Sequence, residues 1–150
     1  MKTRTSLFLL VSLFIFSISR AQVDTLTILH INDTHSTLGT IGPRNAALQG
    51  GLGGIARVAS YVGYTKMTEP NVLFLHAGDA FVGDLFFNSF FGVAELKLLL
   101  SLGLDAMAVG NHEFDLTPAI LQMALDSAFT DAAFPMLSAN INLEDPSVNG

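Results

Sequence analysis

The feature that most constrains this chain is a juxtaposition that recurs three times: an apolar run of strand length ending on a polar cluster. Leu26 to Ile31 ends at Asn32-Asp33, with His35 close behind; Val72 to Leu75 runs into His76-Ala77-Gly78-Asp79; Ala106 to Val109 is stopped by Gly110-Asn111, followed by His112. Short apolar runs of this kind read as strands, the first, also β-branched, as one buried on both faces and the second as buried. Helical patterns lie between them. Ile55, Val58, Ala59 and Val62 recur at helical spacing, in a helix that must stop before Pro70. Ala94 to Leu102 is a helix closed by Gly103, and Thr117 is an N-cap with Pro118 at the first helical position of a helix to about Ser127. Met136 to Ile141 reads as a fourth strand. The order βαβαβαβ is that of right-handed crossover units in a parallel sheet, so the fold class is α/β. Residues 32–50 form a long loop, and a loop or short helical piece carries Phe81, Phe86, Phe87, Phe90 and Phe91.

In parallel α/β sheets, sites form outside the carboxyl ends of the strands. Asp33, His35, Asp79, Asn111 and His112 all fall there, and three successive strand ends converge where residues scattered along helices would not. Carboxylates, imidazoles and an amide suit Zn, Mn or Fe(II), with Mg admitted where carboxylate and water dominate. In an extended segment Asp33 and His35 point the same way and can grip one ion. Asp79 follows Gly78, which admits close approach, and a carboxylate can bridge two metals about 3.5 to 4 Å apart. Asn111 can fill a coordination position without adding charge. His112 is adjacent, and neighbouring side chains diverge, so it is better placed to face a substrate, with Asp115 holding its other ring nitrogen. Taken singly, Asp-x-His is most simply a solvated loop, and Gly-Asp after a strand is common. Gly110 to Asp115 is rare by chance, and co-location at three strand ends is what points to a metal site. His30 and His76 read as core histidines or supports of a ligand, Arg57 and the Gly53-Gly54 pair as structural, the Phe cluster as core, and Glu113 receives no chemical role.

Lys2 and Arg4 precede an apolar run from Leu7 to Phe16 broken only by Ser12, and Ser19-Arg20-Ala21 offers a cleavage site. Residues 1–21 are expected to be a signal peptide, and the run is short of the roughly 20 apolar residues of a membrane span. Its removal takes the basic residues from 7 to 4 against 13 acidic ones, a net charge of -9. Such a balance argues against a nucleic-acid polymer as partner, and it would repel a small phosphate unless bound cations invert the local field. With no Cys, the chain has no disulfide framework, thiolate ligand or cysteine nucleophile.

Ile31-Asn-Asp-Thr-His35, Gly53-Gly-Ile-Ala-Arg57, Gly78-Asp79, Gly110-Asn-His-Glu-Phe-Asp115 and Ser138-Ala-Asn-Ile141 resemble the amino-terminal calcineurin-like metallophosphatase domain of the exported 5'-nucleotidase, 2',3'-cyclic phosphodiesterase and UDP-sugar hydrolase family. The resemblance implies a partial four-layer α/β/β/α sandwich over residues 22–150 and a dinuclear site of two divalent ions, Zn, Mn or Fe. It implies that Asp33 and His35 hold the first metal, Asp79 bridges, Asn111 holds the second, and His112 with Asp115 stabilises the phosphoryl transition state. The implied substrate is a small nucleotide or related phosphoester. Cyclic nucleotides, UDP-sugars, dinucleotide pyrophosphates and sulfate thiol esters are alternatives on the same site, as is an exported module that binds metal or nucleotide without turnover. Family members draw further histidines and a carboxy-terminal nucleoside-gripping domain from later sequence. No His follows His112, so the chain is expected to be a truncated piece or a degenerate relative. Gly83-Asp84 and Leu116 depart from the family pattern without touching an expected ligand. The expected location is periplasmic or extracellular, with no membrane span after cleavage.

Overall fold

The computed structural model describes residues 24–42, 51–130 and 136–140. Strand and helix alternate: β1 (Thr27–Ile31), α1 (Ile55–Thr68), β2 (Val72–His76), α2 (Leu85–Phe90), α3 (Val93–Ser101), β3 (Ala106–Ala108), a one-turn 3-10 helix (His112–Phe114), α4 (Pro118–Ala128) and β4 (Met136–Leu137). The expected signal peptide, the loop stretch 43–50, Ile141 at the end of the expected fourth strand and the polar terminus beyond it lie outside the described residues. Local chemistry sets the boundaries. Thr117 accepts a hydrogen bond from the Ile120 N–H (3.2 Å), with Pro118 in the first turn of α4. Asp84 caps α2 by accepting from the Leu85 N–H (2.6 Å). α1 ends at Thr68, and Glu69 is already extended before Pro70.

The strands pair in the order β1-β2-β3-β4, all parallel. Ile31 lies opposite His76, and His76 opposite Met107. This cross-sheet row makes the segments after β1, β2 and β3 leave the sheet side by side, which is what gathers the site.

An order that always advances in one direction, built from right-handed crossovers, lays every helix on the same face. The core agrees: Val62 of α1, Phe87 of α2, Leu96 and Leu99 of α3, and Leu121 and Ala124 of α4 form one cluster with Phe74 and Met107 of the sheet. Leu29, Ile31 and Met136 pack against it. On the other face Ile28 and Leu137 are each 55% exposed and His30 is exposed. β1 is therefore buried on one face, not two, because alternate side chains point away from the only helical layer. His30 is corrected on the same ground: it sits on the open face, not in the core. A sheet covered by helices on one side is half of the four-layer arrangement. Of the phenylalanines, Phe81 and Phe87 are core, whereas Phe86, Phe90 and Phe91 are exposed. Among the described residues no helix is long and apolar enough to cross a membrane.

Candidate metal centre

Beyond the strands the three loops are tied in sequence. The loop after β1 donates to the loop after β2: Asp33 N–H to the Gly78 carbonyl (3.0 Å), His35 N–H to that of Asp79 (3.1 Å) and Ser36 N–H to that of Ala80 (2.9 Å). This segment is not extended, since Asp33, His35 and Ser36 have φ of 50°, 45° and 53°. The extended geometry expected for Asp33 and His35 is therefore not the one they adopt, although their side chains do meet. A curled backbone, rather than strand alternation, brings Asp33 Oδ1 to 3.7 Å from His35 Nε2.

His35 is held in one tautomer. Its Nδ1 faces the carbonyls of Val82 (2.9 Å) and Phe81 (3.2 Å), which can only accept, so Nδ1 carries the proton and the Nε2 lone pair is left for a cation. His76, at the end of β2, supports the backbone instead. Gly78 N–H donates to its Nδ1 (3.1 Å), which leaves Nε2–H to donate to Thr34 Oγ1 (3.0 Å). Burial lowers its pKa to about 4 against the opposing pull of Asp33 and Asp79. His76 is thus the buried supporting histidine expected of it.

Asp79 has φ of 57°, and its Oδ1 accepts from the His112 N–H (3.0 Å). The loops after β2 and β3 are in backbone contact here: a Cβ on Gly78 would come to 2.8 Å of the Gly110 nitrogen, and one on Gly110 would overlap the Asp79 carboxylate. The His112 Nδ1 lies 2.6 Å from Asp115 Oδ2. That hydrogen bond raises the His112 pKa, helped by the charges of Asp115, Asp79 and Glu113 and opposed by desolvation.

His35, Asp79 and His112 each bring a potential ligand atom within 4.8 Å of the other two. The rings of His35 and His112 meet edge to face with centroids 4.9 Å apart. Asp33 stands beside this group through His35, Asp115 stands behind His112, and exposed Asn111 opens the 3-10 turn. His112, expected to face a substrate, stands within ligand distance of His35 and Asp79, with one ring nitrogen committed to Asp115. Arg57 donates to the Gly53 carbonyl (2.8 Å), a bond back across its own helix start, rather than to a carboxylate.

The residue that the sequence reading missed is Glu113. It is 2% exposed, and its carboxylate accepts from four backbone N–H groups, those of Asp79, Ala80, Phe81 and Gly110. Its only signal in the sequence was membership of the Gly110 to Asp115 run.

Residues 26–144 match the family model described as calcineurin-like phosphoesterase. A mouse (Mus musculus) 5'-nucleotidase is 42% identical over 124 residues, which cover 81% of this chain and 21% of that protein. The crystal structure of a 5'-nucleotidase precursor from Thermus thermophilus superposes with TM-score 0.72 at 37% identity, covering 83% of this chain and 24% of that one. A Haemophilus influenzae NAD nucleotidase gives TM-score 0.64 at 35% identity, over 77% of this chain and 20% of that one. The chain spans about a fifth of the length of the curated relatives it matches.

Proposed function

The chain belongs to the calcineurin-like phosphoesterase family, and on that premise we propose that it is the amino-terminal metal-binding part of an exported phosphoester hydrolase of the 5'-nucleotidase type. The observation that carries the reading is the convergence of His35, Asp79 and His112 at the ends of three parallel strands. The donor set fits divalent ions. It offers imidazole and carboxylate without thiolate, with His35 held in the tautomer that exposes Nε2. Asp33 and His35 would hold one ion, Asp79 would bridge to a second, and Asn111 would contribute to that second one. When bound, such ions supply Lewis acidity towards phosphoryl oxygens and lower the pKa of water.

The chain's own residues do the rest. Asp115 orients the His112 ring and favours its charged form, so that it can give a hydrogen bond or proton to oxygen where negative charge develops. The acidic balance of the chain makes a phosphate substrate dependent on those cations. The likeness to an NAD nucleotidase favours one second reading, a dinucleotide pyrophosphate on the same centre. Export rests on the signal peptide expected at residues 1–21.

The test uses the full-length protein. Turnover of AMP, NAD, UDP-glucose and 2',3'-cyclic AMP should vanish on chelation and return with Mn or Zn. His112→Ala should leave metal content almost unchanged and lower turnover by about 10² or more. Equal loss of metal and of turnover would make His112 a ligand. No metal uptake by the wild-type protein would end the proposal.

A further inference from the structure

Glu113 is a buried carboxylate that the chemistry above leaves unused. Its Oε1 accepts from the N–H groups of Ala80 (2.8 Å) and Phe81 (3.3 Å), and its Oε2 from those of Asp79 (3.0 Å) and Gly110 (2.7 Å). Three consecutive N–H groups of the loop after β2 and one of the loop after β3 therefore meet on one side chain. Consecutive amides aim at a common point when the chain passes through the left-handed region, as Asp79 does at φ 57°. An aspartate in that region lies above its preferred conformation and persists only where surrounding groups restrain it.

The restraint runs in both directions. Glu113 takes the Asp79 N–H, while Asp79 Oδ1 takes the N–H of His112, the residue just before Glu113. The two loops exchange carboxylates across a gap too narrow for a side chain on Gly78 or Gly110. The loop after β1 hangs by three backbone bonds on the carbonyls of Gly78, Asp79 and Ala80, the turn whose amides Glu113 gathers. From this we infer that Glu113 is a positioning residue for the metal centre: its carboxylate sets the backbone angle from which Asp79 meets His35 and His112. The inference deepens the proposed function and rests on its metal-centre reading.

The bland alternative is that Glu113 only satisfies four buried amides. Both roles cost stability when the residue is changed, since an unpaired buried donor is expensive; only positioning also changes how tightly the folded protein holds metal. Glu113→Gln keeps the shape but turns one acceptor oxygen into an NH₂ facing two N–H groups. In the full-length protein, this variant should bind Mn²⁺ about 10- to 100-fold more weakly by calorimetric titration. Amide hydrogen exchange over residues 79–81 and at Gly110 should quicken in the metal-free protein, with circular dichroism unchanged. Glu113→Asp, which keeps both acceptors on a shorter stem, should fall between the wild type and the Gln variant.

A folded Gln variant with wild-type Mn²⁺ affinity would overturn the inference, whatever its melting temperature. If the Gln variant does not fold, the Asp variant decides: weakened binding supports positioning and unchanged binding overturns it. Failure of both to fold would make Glu113 a folding residue and overturn it too. Absence of Mn²⁺ binding by the wild-type protein is distinguishable from all of these and sinks the metal reading itself.

Discussion

The root and the rim of the site use the same residue types in opposite ways. At the root, Ser36, His76 and Glu113 are buried, and each is bonded to loop backbone. At the rim, Asp33, His35, His112 and Asp115 are half-buried or exposed, and Asp33 with His35 and His112 with Asp115 meet through their side chains. A buried polar group must spend its hydrogen bonds on neighbours or incur a cost of about 1 to 3 kcal/mol, so root residues fix backbone. Rim residues keep unused lone pairs facing outward and remain available for cations and substrate. If this division holds, root changes should disturb metal affinity and stability together, whereas changes to the rim pair His112 and Asp115 should disturb turnover alone.

The largest effect should come from forcing the two regions against each other. Gly110 lies between them, and an added Cβ would overlap the Asp79 carboxylate and come to 2.5 Å of its backbone nitrogen. A backbone nitrogen cannot swing away as a flexible side chain can. Gly110→Ala is predicted to cost about 1 to 3 kcal/mol in a urea titration and to abolish tight metal binding as Asp79 is pushed from His35. A variant as stable as wild type with unchanged metal affinity would show that the loops slide freely, and the division would fall.

Next in size is the pH dependence of the root. His76 is held neutral with a pKa of about 4, mainly by burial, against an ordinary value near 6.5 in the unfolded chain. Because the folded value is the lower, the unfolded state takes up the proton first. Stability is unaffected above about pH 7 and is lost as pH falls from 6.5 towards 4, by up to roughly 3 kcal/mol. Protonation would also place a donor against the Gly78 N–H. Urea titrations of the metal-free protein from pH 8 to pH 4 should show this loss, and His76→Gln should flatten it while lowering stability at pH 7. A wild-type curve as flat as that of the variant would remove His76 from the root.

How much of this was legible in the sequence follows the same line. Thr117 and Pro118 announced α4, Pro70 the end of α1, and the polar clusters the strand ends, because caps, breakers and apolar runs act through nearest neighbours. The rim was legible because its ligands are chemically conspicuous. The root was not. Backbone at φ near 50° in Asp33, His35 and Asp79 is imposed by bonds between loops far apart in sequence, so extended spacing does not describe how Asp33 and His35 meet. Two buried glutamates make the limit plain: Glu113 takes four N–H bonds, whereas the side-chain oxygens of Glu95 find no hydrogen-bond partner among the described residues. In the sequence only membership of the Gly110 to Asp115 run sets Glu113 apart, and that run does not disclose the four N–H partners. Nor could an apolar run such as Leu26 to Ile31 disclose that helices would cover one face of the sheet and leave Ile28 open.

The smallest predicted effect lies wholly in the rim. The Asp115 hydrogen bond is the first cause of the raised His112 pKa, and the charges of Asp79 and Glu113 add to it. A raised value means that the ring stays protonated to higher pH than a free imidazole, so a reaction that uses it as donor persists there and declines as pH climbs through the shifted value. Asp115→Asn removes the bond to a charged acceptor but leaves the other two carboxylates. The alkaline limb of kcat should therefore move towards lower pH, and turnover on the plateau should fall by about tenfold. Metal affinity should not change, because Asp115 bonds His112, which is not among the proposed ligands. A drop in metal affinity with the alkaline limb unmoved would place Asp115 at the root, and would mean that His112 is held for the cation and not for the substrate.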